Sequence, residues 1–146
     1  MTSIEPQELS ADVRDVNCLL DDFVRHTTGV KQAVAVSSDG LLMAASAALQ
    51  RSDVDEVAAM VSGLTSLASS ASQLLSRGSL HQVTAEFHNG YLLVLQISGG
   101  SCLGVITQSD CDLELVGYEA NMLVRRIGAL LTGSGPVIEL KASLVL

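Results

Sequence analysis

The sequence predicts an α/β protein: a three-layer α-β-α sandwich whose middle layer is a five-stranded, antiparallel-rich sheet. Three observations predict it. Segments with an apolar residue every three or four positions alternate with short apolar runs, in the order helix, strand, strand, helix, strand, strand, strand, helix. Asp39-Gly40, Asn89-Gly90 and Gly99-Gly100 separate consecutive strands by so few residues that each pair must run antiparallel. Finally, Tyr91-Leu92-Leu93-Val94-Leu95 and Leu103-Gly104-Val105-Ile106 are apolar at successive positions, so both faces of the sheet need cover.

After a flexible start over residues 1–9, Ser10 is the expected N-cap of a first helix with Val13, Val16, Leu20, Phe23 and Val24 on one face. Gly29 stops it. Val30 to Ser37 reads as a strand, Ser38-Asp39-Gly40 as a turn and Leu41 to Ser46 as the returning strand. A long helix follows, capped by Ser52 or Asp53, with Glu56 three residues beyond Asp53 as in a capping box, and closed by Arg77 and Gly78.

Three strands come next, Leu80 to His88, Tyr91 to Ser98 and Cys102 to Gln108. Asn89-Gly90 suits a type I′ reversal between the first two because both residues tolerate positive φ. A last helix runs from about Asp112, with Asp110 or Asp112 as its cap, to Leu131. It carries Leu113, Val116, Ala120, Leu123, Ile127 and Leu130 at helical spacing and ends at Gly133-Ser134-Gly135-Pro136. The domain therefore spans residues 10–133. A tail, 134–146, is apolar in alternate stretches and has no evident partner in the sequence.

The long helix sets the oligomeric expectation. Val54, Val57, Val61, Leu64, Ala68, Ala71 and Leu75 form an apolar stripe from Asp53 to about Ser76, widened by Leu67 and Leu74. A second face of Ala58, Ser62, Ser66, Ser69, Ser70 and Ser72 is small enough for close approach by another element. At 1.5 Å per residue the helix is roughly 35 Å long, whereas five strands at about 4.8 Å spacing are only roughly 20 Å wide. The overhang needs a cover. In the strand Leu80 to His88, Val83, Ala85 and Phe87 alternate with Thr84, Glu86 and His88, which marks an edge strand open to pairing. Two copies joined there would double the sheet under two long helices. The expected dimer interface is accordingly Val61, Leu64 and Ala68 on the helix with Val83, Thr84, Ala85, Glu86 and Phe87 on the edge.

Bulk properties narrow the function classes. With 146 residues, 48% of them apolar, the chain fits one domain that buries a full core. A net charge of -8 with eight scattered basic residues opposes binding to phosphate backbones and anionic lipids, so neither nucleic acid nor membrane insertion is expected. Three cysteines without CxxC spacing fit neither a disulfide framework nor a zinc site, and the polar start is not a signal peptide; a reducing cytoplasm is the expected compartment.

The residues that could carry chemistry do not assemble into a site. His81 and His88 stand at an odd spacing in one strand and point to opposite faces, so they cannot share a metal. Asp21-Asp22 and Asp110-Cys111-Asp112 do not converge as an acid and base would. The Gly-rich turns lack the lysine and the strand-to-helix setting of a phosphate loop, and the Ser-rich helix lacks a nucleophile elbow. Cys102 and Cys111 have no cationic neighbour to activate a thiol. No catalytic, cofactor-binding or metal-binding residue is expected.

With these elements and turns in order, the chain resembles the roadblock (dynein light chain 7) family, particularly its stand-alone bacterial branch of the MglB type. Gly29 to Leu42 is similar to the opening hairpin of that family. Asp55-Glu56-Val57-Ala58-Ala59 with Gly63-Leu64 is similar to the start of its long helix, and Phe87 to Val94 with Leu103-Gly104-Val105 to its meander. The resemblance implies a roadblock/profilin-like fold and a homodimer that joins third strands and apposes long helices. It also implies a binding platform for a Ras-like small GTPase of the MglA type, with a sensor kinase as a further partner in some systems. Arg51 and Arg77, which flank the long helix, are the basic residues placed to meet such a GTPase, with surface solubility as their plainer role. The leading reading is a non-enzymatic GTPase regulator or scaffold. The alternative is a small-molecule sensor of the PAS or GAF kind, which also layers helices on an antiparallel sheet but needs a ligand cavity.

Overall fold

The eight expected elements occur in the expected order in the computed structural model, which describes residues 4–47 and 50–132. The side chains of 4–13 and 51 lie outside the described residues, as does the tail over 134–146. The elements are α1 (Ile4–His26), β1 (Val30–Val36), β2 (Leu42–Ala45), α2 (Arg51–Leu74), β3 (Gln82–Phe87), β4 (Gly90–Gln96), β5 (Cys102–Gln108) and α3 (Leu113–Thr132). A single 3-10 turn, Ser98–Gly100, joins β4 to β5, with Gly99 at φ 87° and Gly100 at φ 89°.

All strand pairs are antiparallel, in the order β2-β1-β5-β4-β3. The last strand is therefore central, and β2 and β3 are the two edges. One face of the sheet is covered by α1 and α3, which pack Val16, Leu20, Phe23, Val116, Ala120, Leu123 and Ile127 against Leu93, Leu95, Leu103 and Val105. On the other face lies α2, whose Ala58 and Val61 meet Val34, Val36, Val94 and Cys102. This is the expected three-layer sandwich, with two cores separated by one sheet. No buried side-chain nitrogen or oxygen among the described residues lacks a hydrogen-bond partner.

Several local expectations are corrected. The backbone of α1 is helical from Ile4, ahead of the expected cap at Ser10. Pro6 then sits in the first turn, where a missing N–H costs nothing because those amides have no partner inside the helix. For α2 the cap is Gln50, through its carbonyl and without a side-chain hydrogen bond, so neither Ser52 nor Asp53 caps and the capping box does not form. The helix faces the sheet with Val54, Ala58, Val61 and Thr65. Ala58 thus belongs to the core and not to a bare second face. Thr65 is accommodated because its hydroxyl donates to the Val61 carbonyl at 3.0 Å and lies 3.3 Å from Cys102 Sγ.

The β3–β4 reversal uses His88 and Asn89, since Phe87 pairs with Gly90 across the ladder. Neither residue has positive φ, so a type I′ turn is not what Asn89-Gly90 provides. Gly90 serves instead as a place of contact: an ideal Cβ there would stand 2.1 Å from the Thr107 carbonyl oxygen. Of the two expected caps for α3, Asp112 is the one used. Its Oδ1 accepts from the amides of Glu114 and Leu115 at 3.1 and 3.2 Å.

Candidate interaction surface

The two edges of the sheet differ in chemistry. At β2, the Ser46 amide points inward and donates to the Ala33 carbonyl at 2.8 Å, so the amides of Ala45 and Ala47 point outward. Both are taken by α1. Asn17 Oδ1 accepts from Ala45 at 3.1 Å, and Asp21 Oδ1 accepts from Ala47 at 2.8 Å. At β3 no helix among the described residues covers the outer side: α1 and α3 sit over the other strands, and Gln82, Thr84, Glu86 and Phe87 are exposed while Val83 and Ala85 are half-buried. β3 is the open edge.

Beside it runs the far half of α2. Between Val57 and Ser76 there is no Asp, Glu, Lys or Arg. Instead Met60 (58% exposed), Leu67 (73%), Leu74 (84%) and Leu75 (63%) stand in solvent, as does Phe87 (58%) at the end of β3. Seven residues are nearly two helical turns, so Met60, Leu67 and Leu74 form one line along the helix. Large exposed side chains on an uncharged helix surface are a feature of interaction sites.

The residues expected at the interface distribute as follows. Leu64 and Ala68 are half-buried on the flank of α2, and Val83 to Phe87 lie on the open edge. Val61 does not join them. It is wholly buried within the chain against Val34 and Gly104, so no partner can reach it. Arg77 is exposed just beyond α2, its amide donating to the Ser72 carbonyl at 2.9 Å, and the side chain of Arg51 lies outside the described residues. Met60 and the edge-capping pair Asn17 and Asp21 were not legible in the sequence. The uncharged run from Val57 to Ser76 was the available sign of the first; nothing local signals the second.

No group of three or more His, Cys, Asp or Glu among the described residues could hold a metal ion. His81 and His88 are both exposed, one beyond each end of β3. Among the described residues no helix is long and apolar enough to cross a membrane.

Residues 17–107, from the middle of α1 to the end of β5, match the Roadblock/LC7 domain. The chain belongs to the Roadblock/LC7 family. A solved Roadblock/LC7 domain from Streptomyces avermitilis is 32% identical, with 80% of this chain and 97% of that one covered at a TM-score of 0.76. MglB of Myxococcus xanthus shares the fold at 16% identity, with 84% and 91% covered and a TM-score of 0.77. An MglB with tetrameric arrangement does so at 15% identity, with 85% and 93% covered and a TM-score of 0.76. Comparison with curated protein sequences gives no match. In this roadblock protein the matched segment contains both sheet edges and all of α2, so the surface described above lies wholly within the family's domain.

Proposed function

We propose that this protein is a non-enzymatic homodimeric platform for a Ras-like small GTPase of the MglA type. The observation that carries the proposal is the asymmetry of the molecule: one sheet edge is capped and the other is open beside an uncharged, leucine-bearing helix flank. Two copies joined antiparallel at β3 form one continuous ten-stranded layer under paired α2 helices. Leu64 and Ala68, with Ala71 and Leu75, face the partner helix, each large side chain contributing about 1.5–3 kcal/mol when covered. Met60, Leu67 and Leu74 then remain as an outward strip on the helix pair, and the GTPase docks there. Regulation follows if the strip binds one nucleotide state more tightly than the other, since only differential affinity shifts a switch.

Homodimerisation has a precedent of self-association in the MglB of tetrameric arrangement. Cys18, Cys102 and Cys111 are free thiols, which suits a reducing cytoplasm. A sensor kinase, the other partner that the resemblance implies, has no support in these comparisons. Against the sensor-module alternative stands the seat of α2, which lies too close to β5 at Gly104 to leave room for a ligand there.

Light scattering and capture by a purified MglA-type GTPase test the proposal together. The expected results are a mass of two chains and retention of the GTPase in one nucleotide state over the other. A mass of one chain, or no capture in either the GDP or the GTP-analogue state, removes it.

A further inference from the structure

We propose that Asn17 and Asp21 are specificity-determining residues for self-association: they hold β2 closed, so that the chain pairs through β3 alone and assembly stops at a dimer. The inference rests on the reading of β3 as the pairing edge and adds what prevents the same event at the opposite side of the sheet.

The argument starts from symmetry. A sheet with two open edges can pair β3 with β3 and then β2 with β2, each about its own two-fold axis, and the alternation has no end. A closed dimer requires that one edge be unable to accept another strand. In this fold the protection comes from α1 and is a match of repeats. Asn17 and Asp21 are four residues apart on the helix, hence on one face and about 6 Å apart along its axis. Ala45 ends β2 and Ala47 follows two residues on, their amides on the same outward side because the Ser46 amide between them bonds inward to Ala33. The two acceptors therefore fall opposite the two outward donors, at 3.1 and 2.8 Å. An incoming strand would have to displace both before its carbonyls could bond to β2.

Side-chain acceptors fit this task better than bulk alone, because they satisfy the edge amides in the single chain and leave no unpaired donors on β2 at those positions. On β3 the described hydrogen bonds include no such cap on an outer amide; the side-chain bond there joins Gln82 Nε2 to Thr84 Oγ1 within the strand.

Light scattering of the full chain over a range of concentrations tests the inference. Wild type should keep one discrete mass. Asn17→Ala/Asp21→Ala should form larger species, about twofold the wild-type mass or more, growing with concentration. Adding Ala45→Pro to that pair should return the mass to the wild-type value, since proline removes an outward N–H that a second sheet would use. Asp21→Asn, which keeps an acceptor oxygen, should behave as wild type. If the double variant fails to fold, Asp21→Ala alone reads the same growth in weaker form. A folded double variant with wild-type mass at every concentration overturns the inference, as does growth that Ala45→Pro leaves unchanged or an Asp21→Asn that grows like Asp21→Ala. A wild-type mass of one chain would defeat pairing through β3 but not the guard, which is then judged by whether the double variant associates and Ala45→Pro reverses it.

Discussion

Gly104 of β5 and Val61 of α2 approach so closely that an ideal Cβ on the glycine would stand 2.8 Å from Val61 Cγ2 and 3.0 Å from Val34 Cγ2. Val61 is wholly buried on the helix's sheet-facing line, and β5 is the middle strand. The contact therefore sets the height of α2 above the sheet, and with it the position of the uncharged flank relative to β3.

Gly104→Ala should cost about 1–3 kcal/mol of stability, the range for overpacking a filled core, read from chemical denaturation. A variant as stable as wild type would mean that α2 can lift without loss.

Gly90→Ala tests a harder contact, because the obstacle is the backbone oxygen of Thr107 and not the end of a side chain. The β3–β4 turn must shift, so a loss of about 2 kcal/mol or more is expected in the same measurement. Weakened association should accompany it, since β3 is displaced.

Asp112→Ala removes the acceptor for two first-turn amides of α3 and should cost about 1 kcal/mol. Asp112→Asn keeps an oxygen there and should fall within a few tenths of a kcal/mol of wild type. Equal losses in the two variants would assign the effect to charge and not to the cap.

Leu64→Asp and Leu67→Asp should separate pairing from docking. The first places a carboxylate on the flank assigned to the partner helix and should halve the mass in light scattering. The second alters a side chain 73% exposed in the single chain, so stability should change by no more than about 0.5 kcal/mol. The dimer mass should persist while GTPase capture is lost. Reversed outcomes would exchange the two faces.

The open edge was legible because Val83, Ala85 and Phe87 alternate with polar residues, a pattern that neighbours in sequence reveal on their own. The cap of α3 was narrowed for the same reason to Asp110 or Asp112, and the structure chose Asp112, whose carboxylate reaches the Glu114 and Leu115 amides. Val61 was misplaced at the interface because a stripe of helical period does not say which of its lines meets the sheet. The turn at His88-Asn89 was displaced by one residue because Asn89-Gly90 signals permissive φ, whereas Gly90 is required for its approach to Thr107, a residue 17 positions away.

Local periodicity, turn residues and charge content by themselves determined the element order, the layering, the open β3 edge and the absence of charge along α2, because each depends on residues within a few positions. Tertiary structure alone decided that the last strand takes the centre, that α2 seats on Gly104, and that Asn17 and Asp21 reach Ala45 and Ala47. Those arrangements join segments as many as 77 residues apart, as Val30 and Thr107 are in the ladder. Such pairings are selected by how whole surfaces fit once the chain has closed on itself, and no short-range pattern encodes them.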